Sequence, residues 1–358
     1  MKKIALVGDC LAGGGAEKVH ATLSNFFHEN NFEVHSITFL DWIEYDFSGE
    51  IFNLGKLKSK TIFDKLKRLF ILKKYLKKNQ FDYIIDFRYR VNAINELLIS
   101  HCVYNTKVFY TVHSGVTKKY IPENHFLANL IYSKHQVVTV SKAIEKLLEN
   151  HLKSKITTIY NPFEINKIQS LGKSFVPVER NYIVAVGRMN RRVKQFDKLI
   201  LAYHKSDLHL KDVSLLILGE GKYMDELKTL VEKLNLTSNV IFKGNQSNPF
   251  PYQKNALFLV VSSKNEGFAN TLVESLINET PVISFDCFCG PNEIIDPNLN
   301  GILVENQNID KLSEAMRNLY CDKELYTTFK ENSLTSITQF SVENIGKQWI
   351  FLFNQTKK

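Results

Sequence analysis

Short apolar runs alternate along the chain with longer segments in which apolar residues recur every three or four positions. In the first half, the strand-like runs are residues 3–8, 33–39, 83–87, 107–112 and 137–140. In the second half, they are residues 182–186, 213–218, 240–242, 257–261 and 281–284. Strands that alternate with helical patterns are typical of parallel sheets with helices on both faces. The pattern therefore predicts an α/β protein with two doubly wound sheets.

An irregular stretch that begins at Asn161 and contains Gly172 and Pro177 separates the two halves. Glycine and proline interrupt regular structure, so we expect the domain boundary in this stretch. A chain of 358 residues also agrees better with two cores than with one. The final segment carries Ile345 and Trp349 at helical spacing, which predicts an amphipathic helix that packs back on the N-terminal domain. The expected segments are 1–170, 171–340 and 341–358.

Composition narrows the class of protein only slightly. The five cysteines contain no CxxC pair, so we expect reduced thiols rather than disulfides or a zinc site. No apolar run approaches the roughly 20 residues that cross a bilayer, and residues 4–7 are interpreted as a first strand rather than a signal peptide. We therefore expect a cytoplasmic protein. The net charge of +9 favours an anionic partner without distinguishing nucleic acid, a membrane surface or an anionic substrate.

The segment 256–274 carries the strongest chemical signal in the chain. An apolar run, 256–263, leads into a turn and the start of a helix, and Glu266 and Glu274 flank that start. Open α/β sheets bind ligands where strands end. Free N–H groups at the start of a helix suit a phosphate, and carboxylates accept hydrogen bonds from sugar hydroxyls. The segment therefore predicts a nucleotide-sugar site.

Two cationic residues follow another strand of the same half. Arg188 comes directly after the run 182–186, and Lys194 precedes the next helix. A guanidinium and an ammonium that converge on a diphosphate would stabilise it as a leaving group. We interpret the neighbouring Arg191 and Arg192 as solvated charges, which is the common state of exposed arginine.

Glycine-rich turns follow three strands. Gly244 follows the run 240–242 and is expected to lie along the base of a nucleotide, whereas Gly219 and Gly221 are typical of any tight strand-to-helix turn. The loop at Gly13, Gly14 and Gly15 allows close approach of the backbone to a phosphate. It fails the third glycine of a dinucleotide fingerprint, although Asp41 could bind a ribose in that alternative.

These motifs, in their order along the chain, resemble retaining glycosyltransferases of family 4, which have the GT-B fold. The matching segments are Gly13 to Glu17, Gly187-Arg188 with Lys194, Glu266 to Glu274, and Gly290 to Ile295. The resemblance covers nearly the whole chain and includes bacterial lipopolysaccharide, lipooligosaccharide and surface-polysaccharide enzymes. It implies two Rossmann-like doubly wound domains facing across a cleft, with the acceptor bound by the first domain and the nucleotide-sugar donor by the second.

The resemblance also implies roles for individual residues. Glu266 would bind hydroxyls of the transferred sugar, Glu274 the ribose hydroxyls, and Arg188 with Lys194 the departing diphosphate. His113, after the run 107–112, would lie beside the donor sugar. The remaining residues expected to bind substrate are Gly14, Gly15, Gly244, Gly267, Phe268, Ala269, Asn270 and Thr271. We expect no cofactor and no metal, because the chain lacks an Asp-x-Asp motif and cationic side chains can replace a metal ion.

A basic segment suggests where the acceptor binds. Residues Lys56 to Lys78 include ten Lys or Arg and a single acid, Asp64, interleaved with apolar residues at helical spacing. This pattern suits an anionic membrane surface or a phosphorylated glycolipid, and equally a domain helix with a solvated basic face. Nucleic acid is disfavoured because no recognisable binding module is present.

The sequence as a whole predicts an enzyme that transfers a hexose or N-acetylhexosamine, with UDP as the preferred nucleotide, to a surface glycan or glycolipid. We expect peripheral contact with the inner face of the cytoplasmic membrane. Retention through same-face attack is expected over a covalent intermediate on Glu266. Two alternatives stay open: an NAD(P)-dependent oxidoreductase, and an inactive relative that only binds a sugar nucleotide.

Overall fold

The computed structural model describes residues 1–61, 63–190 and 192–355, and the chain divides into two compact units. The first unit combines Met1–Pro162 with the C-terminal segment that begins at Val342, and the second unit is Phe163–Ser341. The predicted boundary between 170 and 171 falls inside a helix of the second unit, Ile165–Gly172.

The first unit is built on one parallel sheet. Its strands are β1 (Lys2–Gly8), β2 (Phe32–Thr38), β3 (Glu50–Asn53), β4 (Tyr83–Asp86), β5 (Val108–Val112), β6 (Gln136–Thr139) and β7 (Lys155–Thr158), in the spatial order β3-β2-β1-β4-β5-β6-β7. Its helices begin with α1 (Gly15–Glu29), α2 (Asp64–Asn79), α3 (Ala93–Leu98), α4 (His125–Tyr132) and α5 (Lys142–Glu149). Ile4 to Val7 of β1 are fully buried, as expected for a parallel strand that is covered on both faces.

The second unit repeats this architecture. Its strands are β8 (Tyr182–Val186), β9 (Ser214–Leu218), β10 (Val240–Gly244), β11 (Leu259–Val261), β12 (Val282–Phe285) and β13 (Gly301–Val304), in the spatial order β10-β9-β8-β11-β12-β13. Its helices are α6 (Ile165–Gly172), α7 (Phe196–Lys205), α8 (Met224–Lys233), α9 (Phe250–Lys254), α10 (Asn270–Ile277), α11 (Pro291–Ile294), α12 (Ile309–Cys321) and α13 (Lys323–Asn332). The prediction of two doubly wound α/β units is confirmed.

The last helix, α14 (Val342–Gln355), belongs to the first unit and packs against α1. Ile345, Trp349 and Phe353 are buried in the same core as Phe27 and other residues of the first sheet and of α1. Gly346 lies directly on the ring of Phe26, so that a side chain at this position would overlap the ring. No helix in the described ranges combines the length and apolar character needed to cross a membrane.

The strand order reverses at one place in each sheet. In the second unit, strands to one side of the β8/β11 pair run in the order β8, β9, β10, and those to the other side run β11, β12, β13. In the first unit the same reversal lies between β1 and β4. Open α/β sheets bind ligands at the carboxyl ends of the strands at such a reversal. The loops after β8 and β11, and after β1 and β4, are therefore the first places to look for a site.

Candidate active site

A carboxylate and an ammonium meet at the β8/β11 reversal of the second unit. Lys194 lies in the loop between β8 and α7, and Glu266 lies in the loop after β11. Lys194 Nζ donates to Glu266 Oε1 at 2.7 Å. The two side chains are 25% and 13% exposed, so the pair is partly shielded from water while remaining accessible to a ligand.

A serine supports the same carboxylate. Ser263 Oγ donates to Glu266 Oε1 at 2.6 Å, so that a hydroxyl and an ammonium share one oxygen atom. No donor from the described residues reaches the other oxygen, Oε2. A carboxylate oxygen has lone pairs for further donors, so Oε2 is available for hydroxyl groups of a ligand. Ser263 was not predicted from the sequence.

The loops that carry Lys194 and Glu266 are bonded to each other. Ser262 Oγ donates to the carbonyl oxygens of Lys194 at 2.8 Å and Gln195 at 3.1 Å. The backbone N–H of Lys264 donates to the carbonyl of Val193 at 2.8 Å. These bonds fix the backbone on both sides of the ion pair.

Gly187, at the end of β8, makes room for the lysine side chain. A Cβ atom at this position would lie 3.1 Å from Cγ and Cε of Lys194, closer than ordinary van der Waals contact. The next residue, Arg188, is exposed and forms no hydrogen bond or ion pair with any residue that the structure describes. Its guanidinium is therefore free to bind an anion. Arg192 pairs with Glu226 at 2.7 Å on the surface, and Arg191 lies outside the described residues.

The turn before α10 is held in an uncommon conformation. Ala269 has φ 57° and ψ 56°, in the left-handed region that a residue with a side chain rarely adopts. Gly290, with φ 96°, lies close enough that a Cβ atom there would be 2.8 Å from the backbone of Phe268. Such strain costs on the order of 1 kcal/mol and occurs often at functional sites. Here the strained turn follows Gly267 and directly precedes the first N–H groups of α10.

The first turns of α10 carry three residues predicted to bind substrate. Asn270 and Thr271 begin the helix, and Thr271 Oγ1 is buried without a hydrogen-bond partner in the described chain. Glu274 lies one turn later and is buried. The N-terminus of a helix attracts anions, because its backbone N–H groups lack partners within the helix.

A buried thiol lies beside the ion pair. Burial raises the pKa of Cys287 to about 12, and the charge of Glu266 acts in the same direction, while Lys194 opposes it. Cys287 is therefore a neutral apolar side chain at neutral pH. The sequence did not indicate a neutral thiol near this ion pair.

Gly244 ends β10 in the left-handed region, with φ 68°. Glu220, after β9, accepts the backbone N–H of Asn245 at 3.1 Å, and a Cβ atom at Gly244 would lie 2.9 Å from Glu220 Oε1. The two strand ends thus form a compact turn at the same edge of the sheet as Arg188.

The remaining predicted site residues belong to the first unit. Gly14 precedes α1 in an extended conformation, and Gly15 begins the helix. The carboxylate of Glu17 lies where a side chain of Gly14 would be. Glu17 therefore folds back towards the start of its own helix, where a carboxylate is favoured.

His113 follows β5 in the first unit. Burial lowers its pKa to about 3, the charge of Arg90 adds to this, and Asn161 only partly opposes it. The imidazole is therefore neutral at neutral pH, and it can donate and accept hydrogen bonds without carrying a charge.

A buried charge network follows β4 and was not anticipated from the sequence. Arg88 Nη2 donates to Asp86 Oδ2 at 2.7 Å and to Glu96 Oε2 at 2.9 Å, and all three side chains are almost fully buried. Burial alone would raise the pKa of Asp86, but the charges of Arg88 and Arg90 hold it below its usual value. Asp9, after β1, accepts the backbone N–H of Tyr89 at 3.0 Å, which joins the loops at the reversal of the first sheet.

Metal ligands are not clustered in the described ranges 1–61, 63–190 and 192–355. No group of three or more His, Cys, Asp or Glu side chains there has a geometry that could hold an ion.

The fold and this site can now be compared with known proteins. The family model described as "Glycosyl transferases group 1" matches residues 166–335, and the model described as "Glycosyltransferase Family 4" matches residues 13–167. The chain is therefore a glycosyltransferase with the GT-B fold. The two matches follow each other and together extend over residues 13–335.

A relative of similar length is N-acetylgalactosamine-N,N'-diacetylbacillosaminyl-diphospho-undecaprenol 4-alpha-N-acetylgalactosaminyltransferase of Campylobacter jejuni. It is 28% identical over 363 residues, which cover 97% of this chain and 98% of the relative. Together with the two family models, this relative makes the chain a GT4-like glycosyltransferase. The glycosyltransferase prediction is confirmed, and the oxidoreductase alternative is set aside.

Solved structures agree on the fold. Anabaena HepE in complex with UDP-glucose matches with a TM-score of 0.81 and 16% identity, covering 99% of this chain and 100% of that one. A Staphylococcus aureus TarM mutant in complex with fondaparinux, alpha-GlcNAc-glycerol and UDP matches with a TM-score of 0.79 and 17% identity, with the same coverage. At these identities, the likeness establishes the GT-B fold.

Proposed function

We propose that the protein transfers a hexose or N-acetylhexosamine from a UDP-sugar to a hydroxyl group of a lipid-linked glycan, in the synthesis of lipopolysaccharide, lipooligosaccharide or another surface polysaccharide. The observation that carries this proposal is the Glu266 carboxylate, held on one oxygen by Lys194 and Ser263 at the reversal of the donor-unit sheet. The Campylobacter relative, whose name specifies a diphospho-undecaprenol-linked acceptor, supports the choice of acceptor class. The HepE and TarM complexes support UDP as the nucleotide.

The donor is bound through its charges and its hydroxyl groups. Arg188, Lys194 and the N-terminus of α10 neutralise the diphosphate, and the N–H groups of residues 267–270 approach it and the sugar. Glu266 accepts hydrogen bonds from the transferred sugar through Oε2, and Glu274 accepts them from the ribose. Thr271 Oγ1, buried without a partner in the described chain, gains one on the donor. The turn at Gly244 lies along the base.

The transfer retains the configuration of the sugar through attack on the face from which the nucleotide leaves. The bond from the anomeric carbon to the diphosphate oxygen breaks, the bond to the acceptor oxygen forms, and the acceptor proton passes to the departing diphosphate. Arg188 and Lys194 stabilise the charge that develops on the diphosphate, in the place of a metal ion. In this scheme Glu266 binds hydroxyl groups of the sugar through Oε2 and forms no covalent bond with the anomeric carbon.

His113 acts as a neutral group in this scheme. With a pKa of about 3 it carries no proton to give up near neutral pH, so it orients a sugar hydroxyl rather than serving as a general acid. Gly14 and Gly15 let the backbone approach the substrates at the start of α1. We further propose that the protein works in the cytoplasm, at the inner face of the cytoplasmic membrane, and contacts the membrane through Lys56–Lys78.

A thermal-shift screen tests the donor. The purified protein is heated with UDP-, GDP-, ADP- or CDP-sugars, each with and without EDTA, and with NAD(H) and NADP(H) as controls. A ligand at a hundredfold excess over its dissociation constant stabilises the folded state by about 2.7 kcal/mol. We expect a shift with a UDP-sugar and EDTA together. A shift only without EDTA would contradict metal independence, and a shift only with another nucleotide would contradict UDP. Release of UDP that requires an acceptor then distinguishes a transferase from an inactive relative.

A further inference from the structure

An exposed tryptophan lies at the carboxyl edge of the first sheet. Trp42 follows the end of β2 and is 51% exposed, whereas Trp349, the other tryptophan of the chain, is buried in the core. A folded protein usually buries most of an indole ring. Because β2 pairs with β1, next to the reversal of strand order, Trp42 lies at the edge where open α/β sheets bind ligands. Its exposure there indicates a binding role.

Backbone hydrogen bonds fix the loop that carries this residue. The N–H of Leu11 donates to the carbonyl of Trp42 at 3.1 Å, and the N–H of Glu44 donates to the carbonyl of Leu11 at 2.9 Å. The N–H of Leu40 donates to the carbonyl of Asp9 at 2.8 Å. These bonds join the loop after β2 to the loop after β1. The loop after β2 therefore keeps one position beside the glycine-rich turn.

The indole ring is also held at two places. Trp42 Nε1 donates to Glu44 Oε1 at 2.9 Å. On the six-membered ring, Cη2 would lie only 2.9 Å from a Cβ atom placed on Gly13. Gly13 has φ 70°, so glycine permits both the left-handed turn and the close approach of the ring. The exposed ring is therefore oriented before any ligand binds.

We propose that the ring of Trp42 stacks on an uncharged pyranose unit of the acceptor glycan. The inference rests on the proposed function and names the substrate class that this part of the first unit binds. The face of an aromatic ring is electron-rich, and the C–H groups on one face of a pyranose form an apolar surface with partial positive charge. Stacking buries both surfaces and leaves the sugar hydroxyls at the rim of the ring. Few rearrangements are needed on binding, because the ring is already oriented.

The carboxylate of Glu44 suits the hydroxyls of such a sugar. It is exposed at the edge of the indole, and its oxygens have lone pairs beyond the one that accepts Nε1. An aromatic face beside a hydrogen-bond acceptor matches a ligand that is apolar on one face and carries hydroxyl donors at its rim. A lipid chain would cover the ring and leave the carboxylate without a donor.

The charge of this region favours a neutral sugar. Residues 39–55 contain four Asp or Glu and no Lys, Arg or His, although the chain as a whole has a net charge of +9. Burial raises the pKa of the Cys10 thiol after β1, and three carboxylates act in the same direction. They belong to Glu17, Asp9 and Glu44. The loops after β1 and β2 thus share a negative potential, which disfavours a phosphorylated sugar, a nucleotide or an anionic lipid headgroup.

Solute quenching of tryptophan fluorescence tests the proposal on the full chain. Acrylamide quenches the exposed Trp42 far more than the buried Trp349, so protection by a ligand reports binding at Trp42. The probes are the methyl α-glycosides of galactose, N-acetylgalactosamine, glucose and N-acetylglucosamine, with UDP present to occupy the donor site. Sorbitol and glucose 6-phosphate are the open-chain and charged controls. Saturation-transfer NMR with the same probes extends the measurement to variants that lack Trp42.

At least one methyl glycoside, at up to about 100 mM, should protect Trp42 from acrylamide, because a single stacked ring supports only weak binding. Sorbitol and glucose 6-phosphate should protect it much less. Trp42→Ala should weaken glycoside binding at least about tenfold, and Trp42→Phe about threefold, since the smaller ring keeps an aromatic face. Phe126→Ala is the matched control, because Phe126 is 75% exposed on α4 of the same unit, and it should bind as the wild type does. Glu44→Ala should weaken binding about threefold, and Glu44→Gln, whose amide oxygen still accepts Nε1, should restore it.

Protection by none of the four glycosides, or equal binding by Trp42→Ala and Phe126→Ala, overturns the proposal. Protection by glucose 6-phosphate that exceeds that of every neutral glycoside overturns it as well. Self-association in solution that Trp42→Ala abolishes, without glycoside binding, assigns the ring to a second copy and also overturns it. Thermal unfolding of every variant, with and without a UDP-sugar, shows that each one is folded. A UDP-sugar shift without glycoside binding contradicts the stacking alone, whereas glycoside binding without that shift contradicts the proposed donor.

Discussion

One oxygen of Glu266 receives both the Lys194 ammonium and the Ser263 hydroxyl, and this shared contact orients the whole carboxylate. A carboxylate that is held at one oxygen presents the other in a fixed direction. If the sugar hydroxyls bind to Oε2, this oxygen is already oriented before the nucleotide-sugar binds. Binding then orders fewer side-chain groups.

Ser263→Ala removes one of the two donors and tests this arrangement. We expect kcat/KM to fall about tenfold, because a hydrogen bond to a charged group contributes about 1.5–3 kcal/mol and Lys194 still holds the carboxylate. Ser262→Ala is the comparison, since its hydroxyl bonds only to backbone carbonyls of the neighbouring loop. Equal losses in steady-state kinetics of the two variants would mean that the loop, rather than the carboxylate, is what the serine supports.

Lys194 and Glu274 should affect different kinetic constants. Lys194→Ala removes a charge that stabilises the leaving diphosphate, so we expect kcat to fall by at least about a hundredfold, a larger change than the loss of donor affinity. Glu274→Ala should weaken donor binding, because the ribose loses an acceptor, and kcat should change less. Calorimetric titration with the donor and steady-state kinetics separate the two effects. Unchanged kinetics in both variants would contradict the site assignment.

The sequence predicted that Lys194 and Glu266 bind the same ligand. Each residue follows a strand, and parallel strands end at one edge of the sheet. Their contact at 2.7 Å agrees with that reasoning, and their roles stay predictions. Ser263 and Cys287 could not be found in this way. Which hydroxyl of the Ser262-Ser263 pair faces a carboxylate depends on the side-chain directions within a turn, and a buried cysteine leaves no pattern in the sequence.

Among the elements, the strands with strong apolar runs were predicted and three weaker strands were missed. β3 is half-exposed, and β7 has the sequence Lys-Ile-Thr-Thr, so neither carries the apolar run of a central strand. Both are edge strands of the first sheet, and β13 is an edge strand of the second. An edge strand buries less surface than a central one, so its residues are less constrained to be apolar. The sheet order depends on such pairings and became clear only in the structure.

The contact between α14 and α1 depends on one glycine. Gly346→Val places a side chain on the ring of Phe26, and we expect this overpacking to cost about 1–3 kcal/mol of unfolding free energy. Gln348→Val, at an exposed position of α14, is the control and should change stability much less. Urea denaturation followed by tryptophan fluorescence measures both, since Trp42 and Trp349, the two tryptophans of the chain, lie in the first unit. A loss no greater than that of the control would show that the helices separate easily.

At the scale of the whole molecule, we expect acid to destabilise the folded protein through His20, which lies in the first unit. Burial lowers the pKa of His20 to about 3. Between pH 6.5 and 3 the His20 ring therefore stays neutral in the folded protein, whereas in the unfolded chain it takes up a proton. The unfolding free energy should therefore fall as the pH decreases from about 6.5 towards 3, by at most about 1.4 kcal/mol per pH unit for this group. Urea midpoints at pH 7.5 and 5.5 measure the slope. His20→Gln should reduce the slope, and an unchanged slope would assign the pH dependence to other groups.

The return of α14 to the first unit also affects how the protein is made. The second unit is one continuous stretch, Phe163–Ser341, and can complete its core as soon as that stretch has left the ribosome. The first unit must wait, because Ile345, Trp349 and Phe353 of its core follow the whole second unit along the chain. During synthesis, its sheet therefore remains partly uncovered next to Phe27 and Phe32. We therefore expect the first unit to complete its core after the second unit, although its synthesis begins earlier.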